Sequence, residues 1–352
     1  MREVIHGCRS PVAGSPSDSR SPWSILAGRM TSRACRICGN ASHNRVVNAR
    51  EMMFGMRERF EYLECSECGC LQLTDVPADL SRFYPENYYS LEGELPAMDG
   101  QVAAALKKAR TITLLHAPVG VVDALVSAKH VPSPFMWLAG LGLSVSSTIC
   151  DVGSGNGQTL VWMLRQGFSN LTGFDPYIKE DRNIGGRIAI RKLGVDDIAE
   201  GWDLIMLNHS FEHMAQPAVV LEGLRGCLNK NGSIVIRVPV ADSWASRTYA
   251  TDWVQLDAPR HLFIYTQRSM TILAERAGLM VSRVFFDSYA LQFWGSEQCR
   301  RDIALRDVSS YAEDTRSGLF TPAEIDDFQR RSVELNRKGE GDSAGFVLRA
   351  MS

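Results

Sequence analysis

From residue 147 onward, short apolar runs alternate with stretches whose apolar positions recur every three or four residues. That pattern predicts strands alternating with helices, hence an α/β fold with a parallel sheet covered on both faces. Strands are expected at Thr148–Asp151, Leu171–Asp175, Arg187–Arg191, Asp203–Asn208 and Ser233–Val238, with helices at about 157–167, 217–229 and 267–278. Gly278 stands where a left-handed cap would end the last helix. Two further strands, at about Val281–Asp287 and Gly345–Arg349, bracket a helical insertion at about 290–342. Within it Thr321 and Pro322 read as the cap and first turn of a helix.

The first 146 residues follow other rules. Residues 1–30 are rich in Ser, Pro, Arg and Gly without any period and are expected to be a disordered leader, with Met30 the natural start. Residues 31–75 are marked by paired cysteines. Residues 76–146 combine a tyrosine-rich loop with helical stretches such as Val102–Arg110 and are expected to form a connector and lid. The apolar run Phe135–Val145 is shorter than the about 20 residues a bilayer span needs. With 45% hydrophobic residues among 352, a sizeable core is available, and a net charge of -2 gives no electrostatic reason to expect a nucleic-acid partner. Absence of a secretory pattern and unpaired use of most of the nine cysteines predict reduced thiols and a cytoplasmic location.

The strongest chemical signal is Asp151-Val-Gly-Ser-Gly-Asn-Gly157, placed between a strand and a helix. Gly153, Gly155 and Gly157 allow close backbone approach, and helix N–H groups face the ligand. Such loops also bind dinucleotides, so an NAD site is the rival. Two acids separate the readings. Asp151 would repel a pyrophosphate but favours a ligand bearing an ammonium and a sulfonium. Asp175, at the end of the next strand, suits two ribose hydroxyls.

This segment, over roughly 147–290, resembles the class I methyltransferase family, whose first motif is an acid followed by Gly-x-Gly-x-Gly. The resemblance implies a Rossmann-like seven-stranded sheet with its last strand antiparallel, in a methyltransferase domain over 147–352. It also implies S-adenosyl-L-methionine lying across the strand ends. Asp151, Gly153, Ser154, Gly155 and Gly157 would then lie beside or beneath the cofactor, Asp175 would hold the ribose, and Asp196 or Asp197 the adenine. Asn208 ends the fourth strand at the same edge.

Cys35-Arg-Ile-Cys38-Gly and Cys65-Ser-Glu-Cys68-Gly can bring four thiolates to the corners of a tetrahedron, which suits a structural zinc ribbon. Cys70 and His43 are alternative ligands. For the acceptor, three clusters are candidates. Asn208-His-Ser-Phe-Glu-His213 follows the fourth strand and offers His209 and His213 as bases, with Glu212 as a tie. Trp253 to Phe263 follows the fifth. There His261 is a second base, Arg260 a candidate for an acceptor phosphate or carboxylate, and Trp253 a stacking face; a structural loop with Arg260 paired to an internal acid is the alternative. Phe83-Tyr-Pro-Glu-Asn-Tyr-Tyr-Ser90, with Tyr89, is a candidate lid.

Together these clusters are similar to zinc-ribbon methyltransferases of polysaccharide and antibiotic-sugar pathways. That resemblance implies a small-molecule or sugar-type acceptor, nucleotide sugar or glycan, with His and Tyr residues enolising a keto-sugar. The chain departs from that group after residue 290, where a short helical insertion replaces a further domain, leaving O- or N-methylation open. Ribosomal-RNA methylation through the ribbon and a non-catalytic cofactor-binding scaffold are the other readings. The Asn-Pro-Pro-aromatic pattern of many base-modifying enzymes does not occur after the fourth strand.

Overall fold

A computed structural model describes residues 34–85 and 95–351. An eight-stranded sheet forms the centre. Its strands are β4 (Thr148–Val152), β5 (Asn170–Phe174), β6 (Arg182–Ile184), β7 (Ile188–Arg191), β8 (Trp202–Asn208), β9 (Leu228–Pro239), β11 (Leu279–Phe286) and β12 (Ser343–Ala350). The spatial order is β11-β12-β9-β8-β4-β5-β7-β6. Strands β7, β5, β4, β8 and β9 run parallel, and β12 runs antiparallel between β9 and β11. Seven strands thus take the expected Rossmann-like arrangement with the last one reversed. The eighth, β6, corrects the expected count. It is a short polar strand folded onto β7 through Gly185 and Gly186, both left-handed, a backbone that glycine adopts without strain.

Alternate residues of the central strands bury on opposite faces. Ile205 and Leu207 pack beneath α5 (Pro217–Gly226) and α7 (Gln267–Arg276), whereas Leu204 and Met206 share a core with α4 (Gln158–Arg165). Helices α1 (Gln101–His116), α2 (Val119–Ser127) and α3 (Phe135–Leu138) build the connector. The apolar run from Phe135 is consumed here, with Phe135, Trp137, Leu138, Leu141 and Leu143 all buried. The insertion between β11 and β12 contains α8 (Leu291–Arg300) and α9 (Pro322–Lys338). The Thr321 hydroxyl caps α9 reciprocally with Glu324, and left-handed Gly339 ends it. Among the described residues no helix is long and apolar enough to cross a membrane.

The ribbon strands β1 (Arg45–Arg50), β2 (Arg59–Glu64) and β3 (Leu71–Leu73) form a second, antiparallel sheet. Its fourth strand, β10 (Phe263–Ile264), comes from the segment after β9 and pairs with β3. Tyr62, Leu63 and Leu73 therefore share one continuous core with Phe263, Tyr265 and the main sheet. The other side is gripped by the segment after β9 and by the insertion. Arg50 bonds Asp252 of the former and Asp302 of the latter, and the Leu305 and Arg306 N–H groups donate to the Met52 and Met53 carbonyls at 2.8 Å.

At the junction sits Arg260, whose side chain has no exposure. It donates to Asp257 and, at 3.0 Å, to Glu51 of the ribbon, and also to the Phe83 carbonyl at 3.2 Å. Glu51 is filled further by the N–H groups of Met53, Phe54 and Met56. Burial would push the Asp257 carboxyl up, but Arg260 and His261 hold it below its ordinary value. Arg260 is thus a structural tie paired to internal acids, not the acceptor-anchoring group set out as its first candidate role. Trp253 is corrected in the same way: it is buried, with its indole N–H donated to Asp342 at 3.0 Å, so it offers no stacking face. Arg260→Leu strands two buried carboxylates and is expected to cost about 3–5 kcal/mol of stability, read by urea denaturation.

Candidate functional site

A crevice of about 1180 Å³ opens at the carboxyl ends of β4, β5 and β8. This is the point where neighbouring connections leave in opposite directions, the usual ligand position in such sheets. The turn after β4 is drawn over the end of β5 by hydrogen bonds from Gly153 and Ser154 N–H to the Phe174 carbonyl, at 2.7 and 3.3 Å. Asp175 completes the turn. Its two carboxylate oxygens accept from Gly155 N–H at 2.9 Å and Tyr177 N–H at 2.8 Å. Burial pushes this carboxyl up. Asp151 is buried too, raised to about 7 by desolvation, and accepts one bond from the Asn208 amide at 3.1 Å.

Two buried polar atoms in this region have no hydrogen-bond partner, Asn208 Oδ1 and Ser154 Oγ. Unsatisfied atoms beside a glycine turn fit a polar ligand in the crevice.

Asp151, Gly153, Ser154, Gly155, Asp175, Asp196 and Asn208 all line the crevice. Gly157 does not. It has φ +88°, and a Cβ there would meet Ile190 Cδ1 at 2.6 Å, so this glycine serves helix-to-sheet packing. At Gly153, φ +76°, a Cβ would stand 2.5 Å from the Ser210 Cβ. The Ser210 hydroxyl is anchored to the Val152 carbonyl at 2.7 Å and cannot easily yield.

His209, His213 and His261 line the opposite part of the same crevice. Beneath them lies Glu212, wholly buried. The His213 and His261 rings are 4.8 Å apart, and Glu212 Oε1 is 3.5 Å from His209 Nδ1 and 3.8 Å from His261 Nε2. Burial opposes ionisation of Glu212, but the three histidines hold its carboxyl down to about 2. His261 is pushed down to about 4, first by burial and then by His213. His213 closes a short turn, Phe211–His213, ahead of α5. Tyr84 stands 3.3 Å from His213, whereas Tyr89 lies outside the described residues.

Tyr84, from the candidate lid segment, and Tyr177, two positions past Asp175, also line the crevice. The rest of the wall was not legible beforehand: Met53 and Ser81 come from the ribbon side, and Tyr289, Trp294 and Leu305 from the insertion.

Cys35, Cys38, Cys65 and Cys68 gather with their sulfurs within 4.8 Å of one another. Two pairs are closer, Cys35–Cys68 at 3.6 Å and Cys38–Cys65 at 3.4 Å. Left-handed Gly39 and Gly69 turn each knuckle, and Ile37 and Cys68 N–H groups point at sulfur. Cys70 and His43 are not in the group.

Residues 132–284 match the methyltransferase domain family. A curated relative, EEF1A lysine methyltransferase 2 of Danio rerio, is 30% identical over 136 residues. The match covers 38% of this chain and spans about half, 54%, of the relative's length. Among solved structures, a putative sarcosine dimethylglycine methyltransferase from Galdieria sulphuraria aligns at TM-score 0.40 with 16% identity, covering 66% of this chain and 86% of that one. A SAM-dependent methyltransferase from Archaeoglobus fulgidus aligns at TM-score 0.37 with 15% identity, covering 66% and 95%. At such scores the fold assignment rests on the strand order itself.

The two glycines of the turn separate experimentally. Gly153→Ala meets anchored Ser210 and is expected to destabilise the ligand-free protein by about 1–3 kcal/mol. Gly157→Ala meets a movable Ile terminus and carries mainly the left-handed backbone penalty, about 1–2 kcal/mol. Chemical denaturation of both variants checks the ranking.

Proposed function

We propose that this protein transfers the methyl group of S-adenosyl-L-methionine to a small, free acceptor, of sugar type or a comparable ring compound. The observation that carries this reading is the joint placement of Asp151, the Gly153–Gly155 turn, Asp175 and Asn208 around one crevice. When bound, the cofactor supplies an electrophilic methyl on a sulfonium. Asp175 keeps lone pairs free for two ribose hydroxyls, Asp196 lies at the adenine end, and Asp151 with Asn208 faces the cationic end. The bare turn lets the ligand lie against backbone.

On the acceptor side, the group formed by His209, His213 and His261 around Glu212 orients the acceptor and takes up its proton, which lowers the barrier by removing charge as the new bond forms. Tyr84, 3.3 Å from His213, can assist. The ribbon and the insertion wall off this half, which favours a small molecule over the protein lysine named for the Danio rerio relative. Tyr289 and Trp294 offer ring faces for stacking. The near-neutral charge speaks against an RNA backbone.

Asp175→Ala is expected to weaken S-adenosylhomocysteine binding about tenfold to a hundredfold, the value of hydrogen bonds to a charged group. Asp175→Asn keeps one acceptor oxygen for the turn and should lose less. Calorimetry giving wild-type affinity in both would remove the ribose role.

We further infer that the four cysteines hold one structural zinc ion, since four sulfurs at these separations match Zn–S bonds of about 2.3 Å. The reduced protein should contain one zinc per chain in that cluster. Cys65→Ser should lose it and lower the melting temperature by about 10 °C. Retention of zinc and stability by that variant would overturn the assignment.

A further inference from the structure

The Glu212 group has a geometry that a proton-transfer role alone leaves unexplained. His213 Nδ1 lies 2.8 Å from the Arg260 carbonyl, and His261 Nδ1 lies 2.8 Å from the Gln255 carbonyl. A carbonyl only accepts, so each ring must carry its proton on Nδ1. In the neutral rings that leaves both Nε2 atoms with a lone pair and no hydrogen. His261 Nε2 faces Glu212 Oε1 at 3.8 Å and Asp257 Oδ2 at 3.8 Å. Both oxygens of Glu212 are buried without a hydrogen-bond partner. Lone pairs of neutral imidazole thus face buried carboxylate oxygens, with His209 Nδ1 the nearest other nitrogen at 3.5 Å from Glu212 Oε1, an arrangement that a cation between them would relieve.

We propose that Glu212, His213 and His261 bind a first-row divalent cation, distinct from the ion at the four cysteines. One ligand atom from each of the three residues lies within 4.8 Å of the other two. The 3.8 Å between Glu212 Oε1 and His261 Nε2 is near the about 3.4 Å that separates tetrahedral ligands at bonds of 2.0–2.1 Å. Two imidazoles and one carboxylate form a donor set that suits zinc, iron, cobalt or manganese. The two carbonyls are the outer partners that orient metal-bound imidazoles elsewhere. His213 and His261 line the crevice, so at least one position of the ion faces the acceptor space. A cation there would hold an acceptor through its oxygen atoms and favour the deprotonated form of a coordinated hydroxyl. This rests on and deepens the methyl-transfer reading of the same crevice; with His213 and His261 as ligands, His209 is the histidine left to take up the acceptor's proton. It favours acceptors with one hydroxyl, or two adjacent oxygens, next to the methylation position.

The test is titration of the full-length protein with Co2+ after its four cysteines have been saturated with zinc, followed by absorption and calorimetry. One further equivalent is expected, with visible d–d absorption and no sulfur-to-cobalt charge transfer. Glu212→Gln and His261→Gln should each weaken that binding by about a hundredfold, while Cys70→Ser leaves it unchanged. No further equivalent in the wild-type protein, or one that survives both substitutions, would overturn the site and leave a histidine network that only shares protons. S-adenosylhomocysteine calorimetry on the same samples keeps the two readings apart. Cobalt bound without nucleoside binding would count against methyl transfer alone, and nucleoside bound without cobalt against the ion alone.

Discussion

One buried guanidinium holds this molecule together. Arg260 is shut away from water and can be kept there only because Asp257 and Glu51 neutralise it from two sides. One of those acids belongs to the ribbon and the other to the turn that carries His261. The ion cluster therefore fixes how two otherwise separate pieces of chain meet. Its neighbours follow. Tyr62 donates to the His261 carbonyl at 2.8 Å, Leu262 N–H donates to the Glu212 carbonyl at 2.8 Å, and Leu73 N–H donates to the Leu262 carbonyl at 2.9 Å. In three bonds the chain passes from the post-β8 loop to the 257–264 segment and on to the ribbon. The histidines of the crevice are aimed by this lacing more than by their own local conformation.

The opposite half of the crevice depends on what is missing rather than on what is paired. Gly153 has no room for even one carbon beside Ser210, and Ser210 is held by the Val152 carbonyl at the end of the neighbouring β4. Asp175 spends part of its carboxylate on backbone N–H groups of the turn. A cradle results, with acids at the ends of β4 and β5 and the Asn208 amide at the end of β8, on the far side of β4. Preorganisation of this kind means that little ordering remains to be done when a ligand arrives.

Much of the parallel sheet was legible because its strands are buried on both faces. Runs such as Leu204–Leu207 have no other stable use, and the glycine turn announces the end of β4. The cysteine spacing likewise pointed to the four sulfurs that meet, while the alternatives Cys70 and His43 stand outside the group. Other features were not legible, for identifiable reasons. β10 is two residues long, and its pairing with β3 links positions far apart in sequence, so no local pattern marks it. Arg260 reads the same whether it meets a ligand or Glu51, because only the fold decides which acid arrives. Trp253 has a similar ambiguity, resolved by Asp342. The β6 strand is polar and short, and only its two glycines hinted at a reversal. The wall supplied by Met53, Tyr289 and Trp294 depends on how three distant segments converge, which periodicity does not encode.

The borrowed strand β10 has a consequence for how such a chain can change. A ribbon that closed on its own could be exchanged between proteins as a cassette. This one leaves an open sheet edge that only Phe263–Ile264 completes, and those residues lie two and three positions beyond His261. Alteration of the ribbon face around Tyr62 or Leu73 would thus be felt at the floor of the crevice, so the two parts are constrained to diverge together as one inherited unit.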